Sequence, residues 1–298
     1  MIGENPVNGM GGISASILAH SRHPETKTQL VTFALRYPRF IHSELMTHRV
    51  FSRNASSSRA IPVHRMLKNI EEQPAMPIEW GRNQKGMQAD EVLSADEEQI
   101  SENLWIKCSY DTIDTVHQMV GELGVHKQVA NRLLEPFQFI DVIVTSTEWE
   151  NFFNLRLAPE AQPEIRELAR VMDEAMRNSK PKILDYGMWH LPLIYEAGWS
   201  DTADSVDLFE SAGKCARVSY KRHDDEGRNN IELGTRLFYN GHMSPFEHQA
   251  TPIQPGWLAW TYKDGVTHKD KYKNLWCNNF RWWTQFRRLL DENKVEIP

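Results

Sequence analysis

The stretch Phe33–Arg59, FALRYPRFIHSELMTHRVFSRNASSSR, passes from a strand pattern to a helical one and then into a polar turn. Its first residues close a strand candidate, Gln29–Arg36 (QLVTFALR), rich in β-branched and apolar side chains. Tyr37-Pro38 breaks that run, since proline has no N–H for a ladder and its fixed φ suits a first helical turn. From Arg39 to Arg53 the residues Phe40, Ile41, Leu45 and His48 fall at helical spacing, which predicts a helix. Asn54–Arg59 (NASSSR) reads as a polar turn closed by Pro62. The helix end therefore delivers His48, Arg49 and Arg53 to a turn holding Ser56, Ser57, Ser58 and Arg59. Arginine forks bind phosphate bidentately, and serine hydroxyls and turn amides add donors, so this composition fits a site for a phosphorylated ligand. It equally fits a solvated helix C-terminus, where basic side chains favour the dipole and Ser and Asn build the turn.

Beyond this stretch the pattern is largely helical. Residues 72–102, with Pro, Gly and the acidic run GMQADEVLSADEEQISE, read as a partly helical surface excursion. Leu104–Val120 carries Ile106, Tyr110, Ile113, Val116 and Val120 on one stripe and ends at Gly121. A shorter helix is expected over Lys127–Leu134, and the apolar run Phe139–Val144 is either a strand or the edge of a helix. Thr147-Glu148-Trp149-Glu150 has capping-box spacing and would start a helix through Phe152, Phe153 and Leu155. Pro163–Arg177 is helical by its spacing. A linker over 181–200 follows, then helices at Val206–Tyr220 and Asn230–Tyr239. The expected class is α+β or α/β with helices dominant, as one domain over 1–298 made of halves 1–180 and 200–298.

Composition narrows the function. Thirty-four basic against forty acidic side chains give a net charge of −6, which argues against a nucleic-acid coat. Hydrophobic residues at 40% support a sizeable core, and no apolar run reaches the roughly 20 residues of a membrane span. The N-terminus lacks the basic and apolar regions of a signal peptide, so a cytoplasmic location is expected. Cys108, Cys215 and Cys277 are scattered, fitting a reducing compartment and giving no zinc site. The histidines show no metal-binding pattern, and no metal is expected.

Three further constellations stand out. Asn151–Arg166 (NFFNLRLAPEAQPEIR) sets Arg156 after a very apolar helical turn, where it needs a ligand or a carboxylate such as Glu160 or Glu164. Lys214–Tyr220 (KCARVSY) alternates Arg217 and Ser219 with apolar residues and is otherwise an ordinary helix end. Gly241–His248 (GHMSPFEH) offers Ser244-Pro245 as a helix start with Glu247 and His248 in its first turn, where free amides suit an anion. A lone histidine there is also commonly satisfied by the fold.

Taken together these blocks resemble the flavin-dependent thymidylate synthases, the ThyX family. Thr47-His48-Arg49, seven residues and Ser57 are similar to its R-H-R signature, followed here by Ser58-Arg59. Asn151–Arg166 resembles its N-F-L-x-L-R block with the downstream A-Q-x-E-I-R. Val129–Pro136 (VANRLLEP) resembles A-R-x-x-L-P, and KCARVSY and GHMSPFEH resemble two further blocks. In the usual layout those last two precede the R-H-R block, whereas here they follow it, as in a circular permutation. The resemblance implies an α+β fold with a mixed or antiparallel sheet flanked by helices. It implies FAD contacts at His48, Arg49, Asn151, Ser219 and His248, and dUMP contacts at Glu44, Ser57, Ser58, Arg59, Arg132 and Arg156. Arg59 would take the phosphate, Arg156 would activate the uracil, and Ser57 and Arg156 would be the catalytic pair.

Methylene-tetrahydrofolate as carbon donor, NADPH as reductant, and a homotetramer with sites shared between subunits follow from the same resemblance, with neither a membrane nor a stable nucleic-acid partner. The implied reaction is reductive methylation of dUMP to dTMP; a relative making 5-hydroxymethyl-dUMP is the alternative. Departures from the pattern are Thr47 for the first Arg, Glu44 for a Gln, and Thr145 and Thr147 for an Asn and an Arg. Arg281, Gln285 and Arg287 near the C-terminus are candidates to replace the lost donors. A separate alternative is a single-stranded nucleic-acid module built on Trp276, Phe280, Trp282 and Trp283 with nearby basic residues.

Overall fold

Ser14–Arg22 and Gln29–Pro38 are buried along almost their whole length, and both faces of the hairpin they form are covered. That double covering is why QLVTFALRYP reads as a continuous apolar run rather than an alternating one. The computed structural model describes residues 5–194, 197–219, 229–254 and 265–298; Tyr220 and the side chain of Ser219 lie outside them. In chain order the first half holds β1 (Val7–Asn8), β2 (Ser14–Arg22), β3 (Gln29–Pro38), α1 (His42–Met46), β4 (Ser52–Ala55), α2 (Val63–Glu72) and α3 (Ala95–Gly121). It continues with α4 (Lys127–Leu133), β5 (Phe139–Ser146), α5 (Glu150–Arg156) and α6 (Pro163–Asn178). The remainder holds β6 (Lys182–Ile183), β7 (Trp189–His190), β8 (Trp199–Ser200), α7 (Ser205–Ala216) and α8 (Asn230–Tyr239). It ends with β9 (Ala250–Pro252), β10 (His268–Lys269), β11 (Leu275–Cys277), β12 (Phe280–Arg281), β13 (Trp283–Gln285) and α9 (Phe286–Asp291).

The main sheet runs β1-β2-β3-β5-β4 with antiparallel pairing, and β6 adds in parallel to β2. One face packs Val31, Phe33, Leu35 and Tyr37 with Val142 and Val144 against Ile165, Leu168 and Met172 of α6. The opposite face packs Ala34 and Ile143 against Cys215 and Val218 from the C-terminal half. The fold is α+β, as expected.

Several local expectations are corrected. The helix expected over Arg39–Arg53 is a 3-10 turn at Arg39–Ile41 followed by α1, which stops at Met46. The Arg53 guanidinium donates to the carbonyls of Met46 and His48, capping α1. Ser52–Ala55, including the Asn54-Ala55 start of the expected turn, instead pairs with β5. The Thr147 capping box does not form: the N-cap is Trp149, without a side-chain bond, and Thr147 Oγ1 accepts from the Arg281 amide. A capping box does form at Ser94 and Glu97, so α3 begins at Ala95 and absorbs the end of the acidic excursion. The 181–200 linker contributes β6, β7 and β8, and β7 enters a four-stranded sheet ordered β13-β9-β7-β8.

Phe280 and Trp283 are fully buried beside Leu30 and Leu184. The Trp276 and Trp282 indoles donate to Asp270 and Asn274. Two of the four aromatics of the nucleic-acid alternative are thus core residues, with no face left for a base. Among the described residues no helix is long and apolar enough to cross a membrane, and no group of three His, Cys, Asp or Glu is placed to hold a metal.

Candidate active site

Arg156 ends α5, one turn after Phe152, so both fall on the same helical face. Phe152 is buried and meets the His48 ring edge to face at 4.9 Å, while Phe51 stacks on the same ring at 5.7 Å. This aromatic packing sets the guanidinium over the end of α1. Nε donates to His48 Nε2 at 3.0 Å, Nη1 to Glu44 Oε2 at 3.3 Å and Nη2 to Thr47 Oγ1 at 3.3 Å. The carboxylate partner of Arg156 is therefore Glu44 rather than Glu160 or Glu164; buried Glu164 accepts instead from the Ile78 amide. His48 accepts at Nε2 and so is neutral there; burial, then Arg156 and Arg53, lower its pKa. Glu44 and Arg156 open on a cleft of about 880 Å³ whose other walls include Glu79, Gln88, Glu160 and Arg166. Part of the acidic excursion thus borders the cleft, tied by Gln88 Nε2 to the Glu160 carbonyl at 3.1 Å.

A second cluster surrounds the serine turn. Glu135 Oε1 accepts from Ser58 Oγ at 2.8 Å and Arg132 Nη1 at 3.0 Å, and Arg39 Nη2 lies 3.2 Å away. Asn131 Nδ2 pins the turn by donating to the Ser58 and Ile61 carbonyls. Ser57 is half-buried, and Arg59 is exposed with no side-chain partner among the described residues. Glu135 and Asn131 carry this geometry although sequence reasoning passed over them; both lay inside the quoted VANRLLEP block.

The third cluster is internal. His248 is fully buried; its Nε2 meets the Asn54 amide at 3.1 Å, best oriented with Asn54 Nδ2 donating, so its Nδ1 donates to Thr145 Oγ1 at 2.8 Å. The chain continues through Thr32 Oγ1 to His190 Nε2 at 2.7 Å and from His190 Nδ1 to Ser21 Oγ at 2.8 Å. Burial pushes the pKa of both histidines down to about 3, so both are neutral. His190 and Thr32 gave no signal in the sequence, one being a lone histidine in an apparent linker and the other a strand residue.

Of the remaining candidates, Arg49 and Asn151 are exposed without side-chain partners among the described residues, on segments joined by the His48–Phe152 contact. Ser219 closes a 3-10 turn after α7. The C-terminal segment does lie against Thr147: Arg281 bonds it through its amide and pairs with Glu148 at 2.8 Å. Gln285 is buried and committed to Ser52, the Glu247 carbonyl and Asn279, and Arg287 pairs with Glu247. Cys215 and Cys277 are buried, with thiols pushed up to about 12, while Cys108 is exposed on α3.

The family model for the thymidylate synthase complementing protein matches residues 12–182, more than half of the chain. The chain belongs to that family. The matched span holds Glu44, His48, Arg49, the serine turn, Arg132, Asn151 and Arg156, while Ser219 and His248 fall outside it. No curated protein matches the chain. Among solved structures it is similar to a UMP/dUMP methylase, PolB from Streptomyces cacaoi, bound with 5-Br UMP. That match has 17% identity and a TM-score of 0.44, covering 58% of this chain and 92% of the other. The same enzyme bound with 5-Br dUMP gives 14% identity and a TM-score of 0.42, covering 57% and 92%.

Proposed function

We propose that the protein is an FAD-dependent thymidylate synthase, a C5 one-carbon transferase converting dUMP to dTMP with methylene-tetrahydrofolate and NADPH. The observation carrying this is the Arg156 guanidinium, presented to an open cleft by Glu44, Thr47 and His48. Its two 3.3 Å bonds are long for charge-assisted contacts, so pyrimidine carbonyls can replace them at little cost. There Arg156 stabilises the negative charge that develops on the uracil, a preorganised electrostatic role. Neutral His48 behind it fixes Nε and leaves Nη1 and Nη2 to the ligand. Ser57, Ser58, Arg59 and Arg132 take the nucleotide, with exposed Arg59 on the phosphate.

A thiolate route to the same product finds no support in Cys215 or Cys277, which are buried and protonated. Bound FAD supplies the hydride chemistry that side chains cannot. The donor set fits such a group: Arg49 and Asn151 are exposed and uncommitted among the described residues, with guanidinium and amide donors for a phosphate or a ring edge. His248, expected as a flavin contact, is fully buried with both ring nitrogens engaged by Thr145 and Asn54, so it has no free donor or acceptor for that group. A homotetramer with sites shared between subunits is part of this reading. The packing of the Val218 and His248 segments onto β3 and β5 supports a circularly permuted order of the family's blocks. A cytoplasmic location accords with this function.

Anaerobic incubation with dUMP, methylene-tetrahydrofolate, FAD and NADPH, followed by mass analysis of the nucleotide, tests the proposal. A methyl adduct is expected. A hydroxymethyl adduct would establish the second product, favoured by the internal engagement of Thr47 and Thr147 where the family has arginines. Unmodified dUMP would overturn both.

A further inference from the structure

A separate cavity of about 240 Å³ lies where α2 packs beside the ends of β3 and β5, and it shares no lining residue with the Arg156 cleft. Arg36 of β3, Asp141 of β5, Gln138, Ser56, and Arg65 and Asn69 of α2 supply its polar walls. Val218 closes it from the C-terminal half. Two observations mark it as more than a packing gap. Arg65 has no ion-pair or side-chain hydrogen-bond partner among the described residues, and Gln138, only 5% exposed, has an amide nitrogen with no acceptor. Buried amide donors are otherwise almost always satisfied.

The charge balance sets the chemistry of the occupant. Arg36 lies over the Phe139 ring at 4.3 Å and 4.0 Å from Asp141 Oδ1, so the one carboxylate present is shared with Arg36. That leaves the Arg65 guanidinium as the unmatched charge and the Gln138 amide as an unmatched donor, beside Asp141 Oδ1, which meets Arg36 only as a 4.0 Å ion pair without a hydrogen bond. We propose that this cavity is a second binding site, taking a small ligand through a carboxylate or phosphate group held by Arg65 and Gln138. Its volume falls below the 300–1,000 Å³ or so of pockets for drug-sized ligands, which excludes a dinucleotide such as the flavin. The cavity also touches the serine turn from behind: the Ser56 amide donates to the Asp141 carbonyl at 2.8 Å, and Ser56 Oγ accepts from the Asp141 amide at 3.2 Å. An occupant therefore braces the turn that carries Ser57 and Ser58.

Calorimetric titration of the full chain with inorganic phosphate and, separately, malonate, in chloride buffers of matched ionic strength, tests the site and separates the two anion types. One equivalent of at least one anion is expected to bind the wild type. Arg65→Glu, at a half-exposed helix position, should weaken that binding by at least about tenfold, and Asn69→Asp at the rim should also weaken it. With no anion added, the affinity for dUMP should stay within about twofold of wild type in both variants. Equal anion affinity in wild type and Arg65→Glu, or no binding of either anion at millimolar concentration, overturns the proposal. So does a loss produced by Arg59→Ala but not by Arg65→Glu, which would place the anion at the serine turn.

Discussion

Replacing Thr145 with valine keeps the β-branched shape and deletes one hydroxyl at the centre of the buried chain from Ser21 to Asn54. That hydroxyl is bonded at 2.8 Å to both Thr32 Oγ1 and His248 Nδ1. In the variant, His248 Nδ1 is buried without a partner, which costs about 1–3 kcal/mol. Thr32 loses one bond worth about 0.5–1.5 kcal/mol but keeps His190. The expected destabilisation is thus about 1.5–4.5 kcal/mol. Urea unfolding followed by tryptophan fluorescence should show a lower midpoint with an unchanged m-value, since the exposed area does not change. The same measurement on Thr32→Val and on the double variant closes a cycle. With both hydroxyls gone their mutual bond is no longer half-broken, so the double variant should cost less than the sum by about 0.5–3 kcal/mol. A Thr145→Val cost below about 0.5 kcal/mol, or strict additivity with Thr32→Val, would refute the chain as a cooperative unit.

Four other outcomes are expected. His190 and His248 have native pKa values near 3, below the ordinary 6.5 of the unfolded chain, so unfolding takes up protons between those limits. Stability should accordingly fall by about 1.4 kcal/mol per pH unit for each histidine as pH drops below about 6, and His190→Gln should remove one such increment in urea titrations run across that range. Arg156→Ala should lower dUMP turnover by about 10²–10³-fold without moving the thermal midpoint appreciably, and Arg156→Lys should not rescue it, because one ammonium cannot serve three directions. Arg281→Ala should weaken FAD binding about fivefold by fluorescence titration; an unchanged dissociation constant would remove the C-terminal segment from the flavin site. Ser94→Ala should cost about 1 kcal/mol, and hydrogen exchange should localise the loss to the first turns of α3.

What the sequence revealed followed local rules. Asn230–Tyr239 ends at Asn240-Gly241 as its C-terminal signal requires, and Pro163 opens α6. The Arg39–Arg53 pattern misled because Leu45 and His48 sit at helical spacing while Ser52 and Asn54 belong to a strand whose partner lies about 90 residues away. The capping-box letters at Thr147 were outweighed by a backbone amide from Arg281, a contact of 134 positions that no window contains. In the site, Arg156 stood out because a charge after NFFNL needs an explanation. Its partner Glu44 was visible only as a family position, and Glu135 and His190 not at all, since their roles arise from three-dimensional convergence.

The buried hydrogen-bond chain also bears on how the protein is made. Thr145 waits 103 residues for His248. At about 5–20 residues per second, ribosomal synthesis leaves the Thr145 hydroxyl with Thr32 alone, and without His248, for roughly 5–20 seconds. During that interval the nascent sheet can bury its α6 face but not the opposite one, which Cys215 and Val218 cover. The growing chain is thereby a half-clothed sheet, open to chaperones and to neighbouring copies, until the segments carrying Cys215, Val218 and His248 arrive.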